Sequence, residues 1–297
     1  MNEPDGFEAE FLSWSTTDIE QRVGFRGGKY TSVNNLLTFL LGVALTVCFY
    51  GVMYFIRDTT VGAMFTKRGP TPYVMALFFF WSLTILFVKN SKLRLQRKAL
   101  DIDVIPLANE FVLSPATVQQ VLDNTYVATD NPNHFLLFHR IHVALSNLKN
   151  IGRVADVDDI LRSQADHEES IVETSYSLLR GFVWGIPILG FIGTVMGLSE
   201  AIGKFGAVLG ETTETSQITT ALQGVTSGLS TAFETTLIAL VAALVVQMLI
   251  TFQKKGEEDF LDECTEYCLK NIVNKLRITP YQPVSYTHLT LPTKRIV

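Results

Sequence analysis

Residues 185–198 read GIPILGFIGTVMGL, a run that is almost wholly apolar yet holds one proline, four glycines and one threonine. Glycine and proline weaken a helix interior, so their concentration here calls for a reason beyond hydrophobicity. In lipid, helices gain little hydrophobic energy by associating, and close backbone contact has to hold them together. On a helix Gly190, Thr194, Gly197 and Ala201 fall on one face, and Gly193 with Gly197 forms a small-xxx-small pair. Pro187 deprives a carbonyl one turn earlier of its donor, which is tolerable only where protein or water satisfies it. The stretch reads as a membrane helix built to lie close against another.

The whole chain agrees with that setting. Of 297 residues, 47% are hydrophobic and 18% charged, below the roughly one quarter usual for soluble domains. The net charge of −5 argues against a general nucleic-acid binder. Cys48, Cys264 and Cys268 do not make a disulfide framework in a chain this long. Polar sequence fills the first 30 residues, so insertion is expected to use internal spans, not a cleaved signal.

Four spans are predicted, giving an all-α polytopic membrane protein. Residues 36–56 carry no charge, enough to cross about 30 Å of hydrocarbon. Residues 73–88 are shorter, bounded by Pro70, Pro72 and Lys89, with a buried core helix as the alternative reading. Residues 181–202 contain the opening stretch, and 227–252 form the fourth span. The organisation is then an N-terminal segment 1–35, a transmembrane hairpin 36–88, a helical region 89–180, a core 181–252 and a C-terminal helix 253–283. The tail 284–297, VSYTHLTLPTKRIV after Pro283, resembles a translated sequencing adaptor or cloning scar and is set aside as non-native.

Basic residues set the orientation. Arg22, Arg26, Lys29, Lys89, Lys92, Arg94, Arg97, Lys98, Arg180, Lys254 and Lys255 flank one end of the spans. The opposite loops, about 57–72 and 203–226, hold only Arg57, Lys67, Arg68 and Lys204 and are too short to fold alone. Both termini and residues 89–180 are therefore expected in the cytoplasm, with the bases at 89–98 acting as a retention signal beside anionic lipid. From about Asn133 to Arg180 apolar residues recur at helical spacing, and this helix is expected to run straight into the third span. Residues 257–277 extend the fourth span likewise, and 101–131 read as shorter helices broken at Pro106 and Pro115.

In the fourth span Ala232, Thr236, Ala239, Ala243 and Gln247 cluster on one stripe, with Val246 and Ile250 mostly elsewhere. Thr194 lies at a depth similar to Thr236, the two spans being antiparallel. A stripe of small residues with polar groups suggests either a narrow hydrated path or a seat for another helix.

These residues carry a resemblance. Pro187, Gly190, Gly193, Thr194 and Gly197 stand in the order P-x-x-G-x-x-G-T-x-x-G, and Thr235, Thr236 and Leu240 in T-T-x-x-x-L. Over the third and fourth spans the chain resembles the MotA/TolQ/ExbB proton-channel family, and four spans match the MotA-type layout better than the three-span one. The resemblance implies a homopentamer around the transmembrane helices of a MotB/TolR/ExbD-type partner, whose aspartate takes part in ion flow that drives mechanical work. It implies a helix-kinking role for Pro187 and an ion-pathway role for Thr194 and Thr236, to which Gln247 is joined by its place on the stripe. ExbB-like members carry a glutamate where this chain has Thr231; here the acid is Glu234, so that role does not transfer.

Glu234 is the ionisable residue well inside a span, at a cost of roughly 2.5–3.5 kcal/mol. It lies on the opposite side of its helix from Thr236, which places it between neighbouring subunits, as a polar clasp or an ion relay. No carboxylate shares the Thr194/Thr236 face, so the titrating acid is expected from a partner. The translocated ion is H+ or Na+, with no cofactor. His134, His139 and His142 read as solvated, Cys264 and Cys268 as half a metal site without its other half, and no enzyme motif is present. A non-conducting oligomeric scaffold is the rival function.

Overall fold

The computed structural model of the chain describes residues 11–276, apart from 26, 68, 107–112, 115–116, 152–153 and 212–214. The tail 284–297 and Pro115 lie outside the described residues. The described part is all-α, without a named strand, and four of its helices are long and apolar enough to cross a membrane.

Two short helices, α1 (Trp14–Thr17) and α2 (Ile19–Arg22), precede α3 (Asn35–Phe55). Asn34 caps α3, its side-chain oxygen accepting from Leu36 N at 3.0 Å, and so sets where the first membrane helix begins. A short helix α4 (Thr60–Thr66) leads to α5 (Thr71–Arg97), which carries Pro72 in its first turn, where a missing N–H costs nothing. The helices α3 and α5 pack antiparallel. A side chain on Gly42 would meet Trp81 Cα at 2.8 Å, and Tyr50 stacks on Tyr73 at 4.4 Å between ring centres.

After α6 (Val118–Ala128) and α7 (Leu136–Ile151), α8 (Val154–Ser175) and α9 (Ser177–Glu211) follow one another with an interruption at Tyr176. The last helix, α10, spans Thr215–Asn271. At about 1.5 Å per residue α9 is about 50 Å long and α10 about 85 Å, both well beyond a hydrocarbon layer of about 30 Å. The apolar windows at 181–202 and 227–252 are therefore the middles of longer helices. Most of the stretch read as an outer loop, 203–226, is helical, and the 57–72 loop contains α4. Hydropathy marks where lipid ends, whereas caps and breakers mark where helices end.

One end of the spans enters a helical body formed by α6, α7, α8 and the end of α10. Its core includes Phe135, Phe138, Ile141, Leu145, Phe260 and Cys264, all at most 1% exposed. Trp14, likewise buried, ties the N-terminal segment to this core, and Leu12 N donates to Ala128 O at 2.9 Å.

Of the bases at 89–98 read as a lipid-facing retention signal, Lys89 and Lys92 face inward, while Arg94 and Lys98 stay exposed. The helix α5 continues past the lipid into the body, and the face bearing Val88, Lys89, Lys92 and Gln96 is fully enclosed. Lys89 Nζ lies 3.0 Å from Glu257 Oε1 and 2.9 Å from Ser175 Oγ, over the Tyr176 ring. Lys92 Nζ lies 2.5 Å from Glu20 Oε2 and donates to Ser32 O at 2.8 Å. Arg140 on α7 is also buried, donating from Nε to Glu168 at 2.9 Å and from Nη1 to Thr265 at 2.8 Å. A charge in sequence says how far along a helix it stands, not which way it faces. The histidines are likewise half-buried instead of solvated. His134 packs on Trp14, His142 meets Tyr126 edge-on, and His139 Nδ1 lies 3.3 Å from Asn133 Oδ1.

Candidate functional site: a hydroxyl seam between two long helices

The helices α9 and α10 face each other across residues too small to hold them apart. A Cβ on Gly190 would collide with that of Ala239, and one on Gly228 with that of Ala201. At Gly197 it would touch Ala232 at 3.6 Å. Ala232 and Ala239 are wholly buried, and Ala201 and Ala243 nearly so. The glycines that weaken the helix are thus what allows the backbones to meet. Pro187 is half-buried within α9, one turn before this contact.

At this contact the hydroxyls gather. Thr194 Oγ1 and Thr236 Oγ1 are hydrogen-bonded to one another across the seam. Thr194 Oγ1 reaches Gly190 O at 3.1 Å on its own helix and Ala232 O at 3.0 Å on the other. Thr236 Oγ1 reaches Gly190 O at 3.2 Å and Ala232 O at 3.4 Å. Thr235, also buried, donates to Ala232 O at 2.9 Å. Three hydroxyls thus converge on one carbonyl and two on another. A hydroxyl has one proton to give and two lone pairs to receive, so these groups hold alternative donors and acceptors within reach. Sequence reading singled out Thr194 and Thr236; Thr235 stood in the quoted T-T pair, but the Ala232 carbonyl leaves no trace in sequence.

Gln247 does not continue the seam. It is exposed and borders a groove of about 690 Å³ near Trp184, Arg180 and Lys254, at the body end. Val246 and Ile250 take its place, both buried. The buried face of α10 steps 232, 236, 239, 243, 246, 250, alternating fours and threes. Two closely wrapped helices keep this 3.5-residue repeat in contact, whereas steps of four drift away from the contact line. Below the threonines, toward the body, the seam is alanine, valine and isoleucine.

Glu234 stands off the seam, half-buried on α10, and Ser230 Oγ donates to its Oε1 at 3.2 Å, one turn away. Cys264 and Cys268 are buried free thiols in the body, and Cys48 is exposed on α3.

A four-span helical chain whose last two spans close over shared hydroxyls is a polytopic membrane protein with a polar seam in its apolar part. Residues 136–264 match the model of the MotA/TolQ/ExbB proton channel family. Over that stretch, from the start of α7 into the end of α10, the chain is similar to this family, which supports a proton-channel-type membrane protein. The match reaches further into the helical body than the motifs of the two spans and stops short of α3 and α5. No curated protein and no solved structure matches the chain.

Proposed function

We propose that the chain is the ion-conducting subunit of an inner-membrane stator, coupling an ion motive force to mechanical work on a partner. In this reading copies of the chain, five by analogy with the family, surround a MotB/TolR/ExbD-like single-span protein. On this reading the body and both termini face the cytoplasm, which the excess of basic residues on that side of the spans supports. The ion is H+, with Na+ as the other candidate. One observation carries the reading: the hydroxyls of Thr194, Thr235 and Thr236 gather over two carbonyls at one level of the seam, on a face without a carboxylate. Hydroxyls can pass a proton along but do not hold one against a pH gradient, so the titrating group has to come from a partner. A charge crossing 100 mV releases about 2.3 kcal/mol, enough to bias one mechanical step.

The glycine–alanine fit alone would also suit a non-conducting scaffold. Thr194→Val with Thr236→Val separates the two, since it keeps the shape and removes the hydroxyls. Assembly size should survive while ion flux into vesicles and partner-dependent work fall; unchanged flux sinks the conducting reading. Glu234→Gln, with a search for a co-purifying single-span protein, tests whether this chain supplies the acid itself. Flux lost in that variant without such a protein would move the relay to Glu234.

A further inference from the structure

The N-terminal segment buries more carboxylates than the cation beside them can match. Asp18, between α1 and α2, is 2% exposed, and Glu20, in α2, is fully enclosed. Lys92 of α5 brings its amine to 2.5 Å from Glu20 Oε2, but only to 3.9 Å from Asp18 Oδ1, beyond hydrogen-bond reach. Glu20 has further partners, since Oε1 accepts from Asn34 N at 2.6 Å and Oε2 from Gly28 N at 3.2 Å. Asp18 has none of this. Neither of its oxygens receives a hydrogen bond among the described residues, and Trp14 Nε1 and His134 Nδ1, in the same junction, are equally unmatched. An aspartate before a helix usually accepts from the first N–H groups; no such cap bond forms at α2. A Cβ on Gly27 would come within 2.7 Å of Asp18 Oδ2 and 3.0 Å of Glu20 Oε2, so the backbone there closes over both carboxyls.

An ionised carboxylate in this place would be a buried charge without compensation. Its titratable and charged neighbours are Glu20 on α2, Lys92 on α5 and His134 before α7, with Asp130 and Lys29 acting on the histidine. Lys92 and Glu20 neutralise one another. Burial keeps His134 toward its uncharged form, against the pull of Asp130 and Asp18. Burial likewise drives the Asp18 pKa above its ordinary 3.8, and the charge of Glu20 adds to the rise. Lys92 and the N–H groups of Glu20 and Gln21, which approach without closing a hydrogen bond, offset it only in part.

We propose that Asp18 is a proton-binding site, its carboxyl held as the neutral acid in the closed segment, and that loss of this proton loosens the segment from α5 and the body. As the segment opens, the O–H bond breaks, the proton passes to solvent and the carboxylate takes its hydrogen bonds from water. Lys92 stands on the extension of α5, so the clasp that loosens is the one around a membrane helix just beyond the lipid. The site needs no ion flow and stands whether or not the chain conducts. A neutral acid favoured by folding contributes fully below pH 3.8. That contribution is lost as pH rises through the raised value, by at most tenfold in equilibrium per pH unit.

Hydrogen exchange in the full chain, held in lipid nanodiscs, tests it. With intrinsic rates removed, protection of the amides from Trp14 to Arg22 should fall as pH is raised from 4 to 8, by up to tenfold per unit, and then level off. In Asp18→Asn, neutral and of the same shape, protection should be flat. No fall in the parent, or an equal fall in Asp18→Asn, overturns the site. His134→Phe keeps a ring against Trp14 and should leave the fall in place; its disappearance there assigns the titration to the histidine and overturns the site as well. A second measurement does not depend on any variant folding. With aspartate carboxyls isotope-labelled, one protonated carboxyl should titrate in the infrared with a midpoint above 3.8. Every aspartate titrating at or below 3.8 overturns the proposal.

Discussion

The helical body and the membrane seam are held together by opposite means, although α10 runs through both. In the body, large side chains interlock and three cations, Lys89, Lys92 and Arg140, are buried against carboxylates. In the seam nothing larger than threonine intervenes between the glycines of α9 and the alanines of α10. Water drives the first arrangement, because apolar surface withdrawn from it is worth about 25 cal/mol per Å². Lipid gives no such return, so the second depends on close contact and shared hydroxyls. The body can therefore carry paired charges that lock helices in one register, while the seam can let hydroxyls exchange partners at little cost. In the membrane α5 is the inner pillar, half buried along its apolar window, while α9 and α10 show most of theirs, 22% and 28% buried, outward. Those outward faces are what lipid or further copies of the chain would cover.

The sharpest way to break this contrast is at Lys89 and Glu257. Removing one partner of a fully buried pair leaves the other charged without compensation, a loss of about 3–5 kcal/mol. Glu257→Ala should unfold the body at much lower temperature in detergent. The double change Lys89→Met with Glu257→Leu should recover most of the loss. A Glu257→Ala protein as stable as the parent would show that the pair does not lock α5 to α10.

A smaller effect is expected in the seam. At Gly190 a side chain meets Ala239, and overpacking of this kind costs about 1–3 kcal/mol. Gly190→Val should loosen α9 from α10, read as faster exchange of backbone amides near Thr236, while the melting of the body stays the same. Adding Ala239→Gly should return part of the contact by clearing the atom in the way. If Gly190→Val instead melts the body, the two regions are not independent.

Much of this was legible in the sequence. The spans announced themselves through hydropathy, and the glycine face of α9 through its spacing, because both depend on residue type alone. The pairing of Thr194 with Thr236 followed from two antiparallel helices of similar depth. What escaped depends on direction. Lys89 and Lys92 sit among bases that look like a lipid flank, and only the extension of α5 into the body turns them inward. Gln247 was placed on the seam by two successive steps of four, from Ala239 through Ala243, whereas wrapped helices keep contact by alternating four and three, which selects Val246 and Ile250.

The gentlest test concerns how the N-terminal segment is fastened to the body. Asp130 accepts from Trp14 N at 2.8 Å and from Ser15 N at 3.0 Å, and Ser13 Oγ donates to it at 3.0 Å. Burial alone would raise its pKa, but the N–H groups of Ser15 and Trp14, with the two serine hydroxyls, outweigh it and hold the carboxyl at about 2 against an ordinary 3.8. A carboxylate held down by folding stabilises the folded form above its ordinary value, and that contribution drains away as pH falls toward about 2. The side chain is largely exposed, so solvent screening leaves about 0.5 kcal/mol, typical of an anion at a helix start. Between pH 4 and pH 2 the amides of Trp14 and Ser15 should therefore lose protection by about a factor of two once intrinsic exchange rates are removed. In Asp130→Asn the protection should be lower at neutral pH and flat across that window. Equal pH dependence in both proteins would mean that Trp14 in its pocket, not the carboxylate, fastens the segment, and the buried core alone would then account for the body's hold on its N-terminus.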